Sequence, residues 1–321
     1  MASRAKATGS AGTTPGEVAR VHEPASLVSS IAAQLGSRRE AAWIVQHASA
    51  DHPGEHRLER VAHELADRRS AGEPLQYVLG RWPFRSLDLK VDGRVLIPRP
   101  ETEEVVGVAL TELRRARAGS GPDDVAGHDP TAGPHPGPVC VDLGTGAGGI
   151  ALSLATEGGT LGPGLEVWAT DRSAAALDVA RDNLRSLGHS DPTAASRVRL
   201  AEGSWFDALP PELAGHVDLV VSNPPYVAES EYPDLDPMVR RWEPRAALVA
   251  ARGAGGVGGM AAIEVVIAGA PRWLRRTGAI VVEIAPSQAR PSMEAARRAG
   301  FSHTTTERDL TGRPRMLVAR C

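Results

Sequence analysis

Asn223-Pro224-Pro225-Tyr226 closes a mostly apolar run, Val217 to Ser222. Two prolines at a strand end fix φ and remove two N–H donors, so nearby carbonyls stay free to accept. A planar amino group carries two N–H donors, and the Asn223 side-chain oxygen and the Pro224 carbonyl can take one each. Pinned in that way, the nitrogen gains electron density for in-line attack on a sulfonium methyl. Tyr226 can lie over the planar group, and an aromatic face also suits a cationic methyl donor. A neutral amide nitrogen is a poor nucleophile, so the rate must come from orientation and fixed dipoles rather than a strong base. The bland alternative is a proline-rich turn after a strand. The position of the tetrapeptide, downstream of a glycine loop and an acidic strand end, favours amino methylation.

That glycine loop is Asp142-Leu143-Gly144-Thr145-Gly146-Ala147-Gly148-Gly149, after the apolar Val139-Cys140-Val141. Glycines there let the backbone turn sharply and let a ligand lie against it. Gly144, Gly146 and Gly149 satisfy the dinucleotide pattern G-x-G-x-x-G, whereas Gly144, Gly146 and Gly148 satisfy the D-x-G-x-G-x-G loop of S-adenosylmethionine enzymes. The glycines alone do not decide. Asp171 ends the next predicted strand, where a carboxylate can accept from both ribose hydroxyls of either cofactor. Its structural alternative is a cap for the helix from Ser173.

The elements that must hold these groups follow from periodicity. Residues 1–24 carry no apolar run and read as a disordered leader. Residues 25–80 read as an N-terminal domain, helical over 25–72, with Leu27, Ile31, Leu35, then Ile44, Val45, then Leu58, Val61, Leu65 at helical spacing. Leu75–Leu79, Trp82–Arg85, Leu87–Val91 and Val95–Ile97 read as extended segments, with Asp92-Gly93 as a hairpin signal. Residues 81–99 thus form a β-hairpin linker. A helix is expected from Pro100 to about Arg117, since proline and acidic residues favour a helix start. Residues 118–138 are rich in Gly, Pro and Asp and read as a flexible insert.

From Val139 strands and helices alternate. Strands are expected at Val139–Leu143, Glu166–Thr170, Val198–Ala201, Val217–Ser222, Ala279–Ile284 and Arg315–Ala319. Helices are expected at Gly149–Ala155, Ser173–Leu187, Met260–Arg275 and Ser287–Ala299. This is an α/β pattern, a mostly parallel Rossmann-like sheet covered by helices on both faces, over residues 100–321.

The chain has 321 residues, 42% of them hydrophobic, which suits two domains. A net charge of −3 and a pI near 6.4 argue against bare nucleic acid as the main partner. Only Lys6 and Lys90 are lysines, and Arg carries the remaining positive charge, a composition of GC-rich coding rather than function. Two cysteines, Cys140 and Cys321, build neither a disulfide framework nor a zinc site. No signal peptide or membrane span is expected, and a cytoplasmic protein without a metal fits.

Over residues 25–321 the chain resembles the HemK/PrmC family of class I methyltransferases, which methylate N5 of the glutamine in the Gly-Gly-Gln loop of peptide chain release factors. Beyond the tetrapeptide, the resemblance rests on Gly72-Glu73-Pro74-Leu75-Gln76-Tyr77, Leu96-Ile97-Pro98-Arg99-Pro100-Glu101-Thr102-Glu103, Trp242-Glu243-Pro244-Arg245-Ala246-Ala247-Leu248 and Asp309-Leu310-Thr311-Gly312-Arg313-Pro314-Arg315. It implies S-adenosyl-L-methionine as cofactor, with Gly144, Thr145, Gly146, Ala147 and Gly148 at its methionine part. Asp171 would hold the ribose, Trp205 the adenine, and Asn223, Pro224, Pro225 and Tyr226 the glutamine. Arg99, Glu101 and Thr102 would cap the site. It further implies a release factor as partner, bound through the helical domain, and a monomeric enzyme. Ser204 stands where the family often has Asp, Glu283-Ile284-Ala285-Pro286-Ser287-Gln288 departs from E-H-G-x-Q, and Gly148-Gly149 follows Ala147 in place of a bulkier residue. An adenine-N6 or other nucleic-acid methyltransferase is the rival, because it would use the same Asn-Pro-Pro-Tyr clamp. A dinucleotide oxidoreductase leaves the clamp unexplained.

Overall fold

The computed structural model describes residues 25–51, 55–119, 137–162, 164–250 and 258–321. The expected leader at 1–24 and positions 120–136 of the expected insert lie outside them. The chain divides into two compact units between Ala71 and Gly72.

The first unit consists of α1 (Ala25–Leu35), α2 (Arg38–Asp51) and α3 (Glu55–Ser70), which pack pairwise. Ile31, Ala41, Ile44, Val45, Ala48 and Ala62 are fully buried, the faces that helical spacing selects. Arg69 pairs with Glu40 at 2.8 Å across α2 and α3.

The second unit opens with a correction. Leu75–Leu79 is a short helix, α4, rather than an extended segment. The Tyr77 and Val78 N–H groups both turn back to the Pro74 carbonyl, and Gly80 at φ +67° ends the helix. A five-residue apolar run has no period that separates helix from strand. Strands β1 (Arg81–Phe84) and β2 (Leu87–Lys90) form the hairpin, which closes at Arg85-Ser86 and not at Asp92-Gly93. Arg85 takes φ +52° there, and its guanidinium donates to Glu157 (2.6 Å) and to the Glu103 carbonyl (2.8 Å). Asp92 instead accepts from the Arg94 N–H in a local turn. Val95–Ile97 joins no sheet, because the Ile97 N–H goes to the Glu243 carboxylate.

Helix α5 (Pro100–Gly119) leads to β3 (Val139–Leu143), α6 (Gly149–Glu157), β4 (Glu166–Asp171), α7 (Ala174–Ser190), α8 (Pro192–Ser196), β5 (Val198–Glu202) and β6 (Val217–Ser222). Short helices α9 (Pro237–Trp242) and α10 (Arg245–Leu248) follow, then α11 (Ala261–Gly269), β7 (Leu274–Glu283), α12 (Ala289–Arg298), β8 (His303–Arg308) and β9 (Pro314–Arg320). The seven-stranded sheet has the order β5-β4-β3-β6-β7-β9-β8, parallel except at β9, which runs antiparallel to both neighbours. Two cores sandwich it. Cys140, Val167, Leu219 and Val281 face α5, α6 and α7, whereas Val141, Val220, Ile280 and Leu317 face α11 and α12. Burial on both faces explains the near-continuous apolar strands.

One further expectation is corrected, and one strand was not foreseen. The helix expected over Met260–Arg275 stops at Gly269, where Pro271 cannot extend the hydrogen-bond ladder, and β7 already begins at Leu274. Strand β8 was not legible: its residues His-Thr-Thr-Thr-Glu-Arg lie on the sheet edge, and none is buried. A polar edge strand with no buried residue shows no apolar alternation.

Candidate active site

The strands β3, β4 and β6 end on one side of the sheet, and a cavity of about 830 Å³ lies over those ends. Open α/β sheets bind ligands at this position. Gly144, Thr145, Gly146, Ala147, Asp171 and Trp205 line it, as do Asn223 and Pro225. Gly148, Pro224 and Tyr226 are not among its lining residues.

The glycine loop is a backbone construction. Gly144, Gly146 and Gly148 have φ of +76°, +56° and +90°, a region that costs other L-residues about 1–2 kcal/mol. The N–H groups of Gly144 and Thr145 both donate to the Thr170 carbonyl at 2.9 Å. A Cβ on Gly146 would meet nothing within 4 Å, so this backbone is bare toward the cavity. On Gly144 it would meet only the Trp205 ring, 3.9 Å away. Trp205 itself sits at φ +52°, a strained position that sets its indole beside the loop.

Asp171 is shared between the two readings made from sequence. Its carboxylate accepts from the Gly146 N–H (3.0 Å) and the Ser173 N–H (2.9 Å), so it braces the loop. The cap of α7 is Ser173, whose hydroxyl accepts from the Ala176 N–H. A carboxylate has about four acceptor sites, so Asp171 keeps capacity for hydroxyls of a ligand. Below the loop, Asp142 is fully buried and accepts from Thr145 Oγ1 (2.6 Å) and the Ala151 N–H (3.1 Å). Its other oxygen has no partner among the described residues. Burial pushes its carboxyl up to about 7, against the lowering effect of those two hydrogen bonds.

The opposite wall is built from side chains. Asn223 Nδ2 donates to Thr102 Oγ1 (3.0 Å), and Thr102 Oγ1 donates to Glu283 Oε2 (2.7 Å). Tyr226 OH donates to the other Glu283 oxygen at 3.3 Å. Among the described residues no hydrogen bond engages Asn223 Oδ1. Burial pushes the Glu283 carboxyl up to about 7, with Thr102, Arg315 and Tyr226 opposing. Burial and the nearby Glu283 raise the Tyr226 phenol, which keeps its proton. Gln288 Nε2 donates to the Tyr226 carbonyl at 2.9 Å. Gly259 makes room for that contact, since a Cβ there would lie 1.9 Å from the same carbonyl.

Three strings singled out in the sequence converge here. Buried Glu243 accepts from the Ile97 N–H (3.1 Å) and pairs with the Arg99 guanidinium, so the Trp242–Leu248 segment anchors the Leu96–Glu103 segment. Arg99 and Thr102 line the cavity, but Glu101 does not: it lies 3.7 Å from Arg313 and 3.9 Å from Arg315. Ser204, the departure in the adenine region, also lines the cavity.

Sequence reasoning missed Asn183. It is buried in α7, where Nδ2 donates to the Ala147 carbonyl (2.8 Å) and the Lys90 carbonyl (3.0 Å), and Oδ1 accepts from the Lys90 N–H (2.7 Å). It therefore ties the hairpin to the glycine loop. A signal was available: Val179, Asn183 and Leu187 share one helical stripe, and a polar residue on a buried stripe needs partners.

Comparison with known proteins adds an independent line. Residues 134–237 match the family described as Methyltransferase small domain, a span that contains both the glycine loop and the tetrapeptide. A release factor glutamine methyltransferase of Bifidobacterium longum is 38% identical over 261 residues, 81% of this chain and 80% of the relative. The chain belongs to the release factor glutamine methyltransferase family. Relatives of the same name from Bordetella pertussis (38% identity, 85% of this chain and 87% of the relative) and Xylella fastidiosa (36% identity, 88% of each) agree. One solved structure, a release factor-specific protein-(glutamine-N5) methyltransferase from Alicyclobacillus acidocaldarius, aligns over 72% of this chain and 93% of its own at 24% identity, with a TM-score of 0.36. Membership makes the chain a methyltransferase. Among the described residues, no helix is long and apolar enough to cross a membrane.

Proposed function

We propose that this methyltransferase uses S-adenosyl-L-methionine to methylate the side-chain amide N5 of the glutamine in the Gly-Gly-Gln motif of a peptide chain release factor. One observation carries the reading: Asn223 turns its amide nitrogen to Thr102 and donates one hydrogen there, so its oxygen is left to accept from a planar N–H₂ group at the cavity wall. The names of the relatives support the choice of a protein glutamine over a base.

The residues fit the cofactor. The cavity volume is in the usual range for small-molecule sites. The bare backbone at Gly144 and Gly146 suits the amino-acid part, Asp171 the ribose, and the Trp205 ring a planar base. Bound there, S-adenosyl-L-methionine supplies an electrophilic methyl on a sulfonium. Asn223 Oδ1 and the Pro224 carbonyl, neither engaged by a described residue, each accept one N–H of the glutamine amide. This fixes the plane of the nucleophile and aims its lone pair along the transfer line. The amide proton leaves to water during or after transfer. Tyr226 stays protonated against Glu283, so it holds the wall and takes no proton. A release factor as substrate supports a cytoplasmic setting.

Purified protein, methyl-labelled S-adenosyl-L-methionine and a release factor should place label on the Gly-Gly-Gln glutamine. Label on DNA or RNA alone would overturn the protein-substrate reading in favour of a nucleic-acid methyltransferase.

A further inference from the structure

Asn223, Thr102 and Glu283 come from the end of β6, the first turn of α5 and the end of β7. They form one chain of hydrogen bonds that ends on a carboxylate buried to 1% exposure. We propose that Thr102 and Glu283 are positioning residues that decide which end of the Asn223 carboxamide faces the acceptor, and that proton uptake at Glu283 reverses the choice.

The directionality follows from counting protons. An ionised carboxylate only accepts, so the single Thr102 hydroxyl proton must point to Glu283. The Thr102 oxygen can then only accept from Asn223, which turns Nδ2 inward and leaves Oδ1 for the substrate. Once Glu283 Oε2 binds a proton it can donate to Thr102. The Thr102 hydroxyl is then free to donate to Asn223 Oδ1, and the carboxamide turns Nδ2 to the cavity. An amide donor facing an amide donor holds nothing. The other Glu283 oxygen stays with Tyr226 OH in both states.

The charged groups around Glu283 are Arg315 from β9, which favours ionisation, and Glu101 from α5, which opposes it. Tyr226 faces it as a neutral donor, and Arg99 reaches the site through Tyr226. Burial outweighs Arg315, so the carboxyl titrates near neutrality rather than in the ordinary carboxylate range. The reversal therefore lies within a physiological span of pH.

The inference rests on the reading of Asn223 as acceptor for the substrate amide, but the relay can be tested without substrate. The chain has two asparagines, Asn183 and Asn223, so [15N]asparagine labelling gives two side-chain amide signals. Asn183, held by the Lys90 and Ala147 carbonyls, is an internal reference. Between about pH 5.5 and about 8.5 the Asn223 signal should move with an apparent pKa near that of Glu283, while the Asn183 signal stays. Glu283→Gln should remove the movement. In turnover, Thr102→Val should lower kcat by about 10²-fold, with binding of S-adenosylhomocysteine retained. Thr102→Ser, which keeps the hydroxyl, should recover most of that loss. An Asn223 signal that ignores pH, or one that still titrates in Glu283→Gln, overturns the proposal, as does a Thr102→Val enzyme of normal kcat. If Thr102→Val no longer binds S-adenosylhomocysteine, the titration of the unmodified chain decides alone. If the titration behaves as expected and release factor is not methylated, the substrate reading fails and the relay stands.

Discussion

The two walls of the cavity are made by different means. The glycine-loop wall is backbone: positive φ at three glycines, N–H groups turned to carbonyls, and two carboxylates that brace it, Asp142 from beneath and Asp171 from the cavity side. The Asn223 wall is side chain: a carboxamide, a hydroxyl, a carboxylate and a phenol in series. A backbone wall is sensitive to any added Cβ and indifferent to most side-chain chemistry. A side-chain wall reacts the other way, since one wrong donor or acceptor leaves a buried partner unpaired. Shape is thus delegated to one wall and proton bookkeeping to the other.

Substitutions on each wall should separate these roles. Asn223→Ala removes the acceptor itself and should lower kcat by about 10³-fold, while S-adenosylhomocysteine still binds, as measured by calorimetry. Unchanged turnover would refute the clamp. Gly146→Val should do the opposite. It should cost at least ~100-fold in S-adenosylhomocysteine affinity, because its side chain enters the cavity, and about 1–2 kcal/mol in stability from φ alone. Loss of kcat without loss of affinity would show that this wall is not a ligand surface.

A smaller effect concerns the link between hairpin and loop. Asn183→Ala leaves the Lys90 N–H and the Ala147 carbonyl without their partner and should cost ~1–3 kcal/mol in urea unfolding. The smallest is a slope. The folded pKa of Asp142 is raised to about 7, above the ordinary carboxylate value, so the fold favours its protonated form. Its contribution to stability is complete below the ordinary carboxylate pKa and is lost as pH rises through about 7. Unfolding free energy should therefore fall between about pH 4 and about 7, Glu283 adding a fall of the same sign, and Asp142→Asn should make the fall shallower. A steeper fall in the variant would reverse the assignment.

The contrast between the walls also explains what could be read from sequence. The glycine loop and Asn223–Tyr226 are contiguous, so their chemistry is written in local spacing, and the parallel strands announce themselves by apolar runs. Thr102 lies 121 positions from Asn223 and 181 from Glu283, and no local pattern links them. Residues 99–102 stood out as a cap, but Glu101 turned to Arg313 and Arg315 while its neighbour Thr102 turned inward. That division depends on the phase of α5 against the sheet, a tertiary fact. Helix α4 and strand β8 were missed for simpler reasons, a run too short to show a period and an edge too exposed to need one.

The register of β6 against β7 has a mechanical consequence. Ser222 pairs with Val282, so Asn223 and Glu283 are the next residues beyond a matched rung of the parallel ladder. Adjacent strands lie ~4.8 Å apart, a spacing fixed by backbone hydrogen bonds. The gap that Thr102 bridges is thus gauged by the sheet, and it cannot widen unless the ladder unzips. A shorter acid such as Glu283→Asp would fall short of the Thr102 hydroxyl. The Asn223–Glu283 end of the sheet is thus a jaw of fixed width, and adjustment of fit is left to whatever enters it.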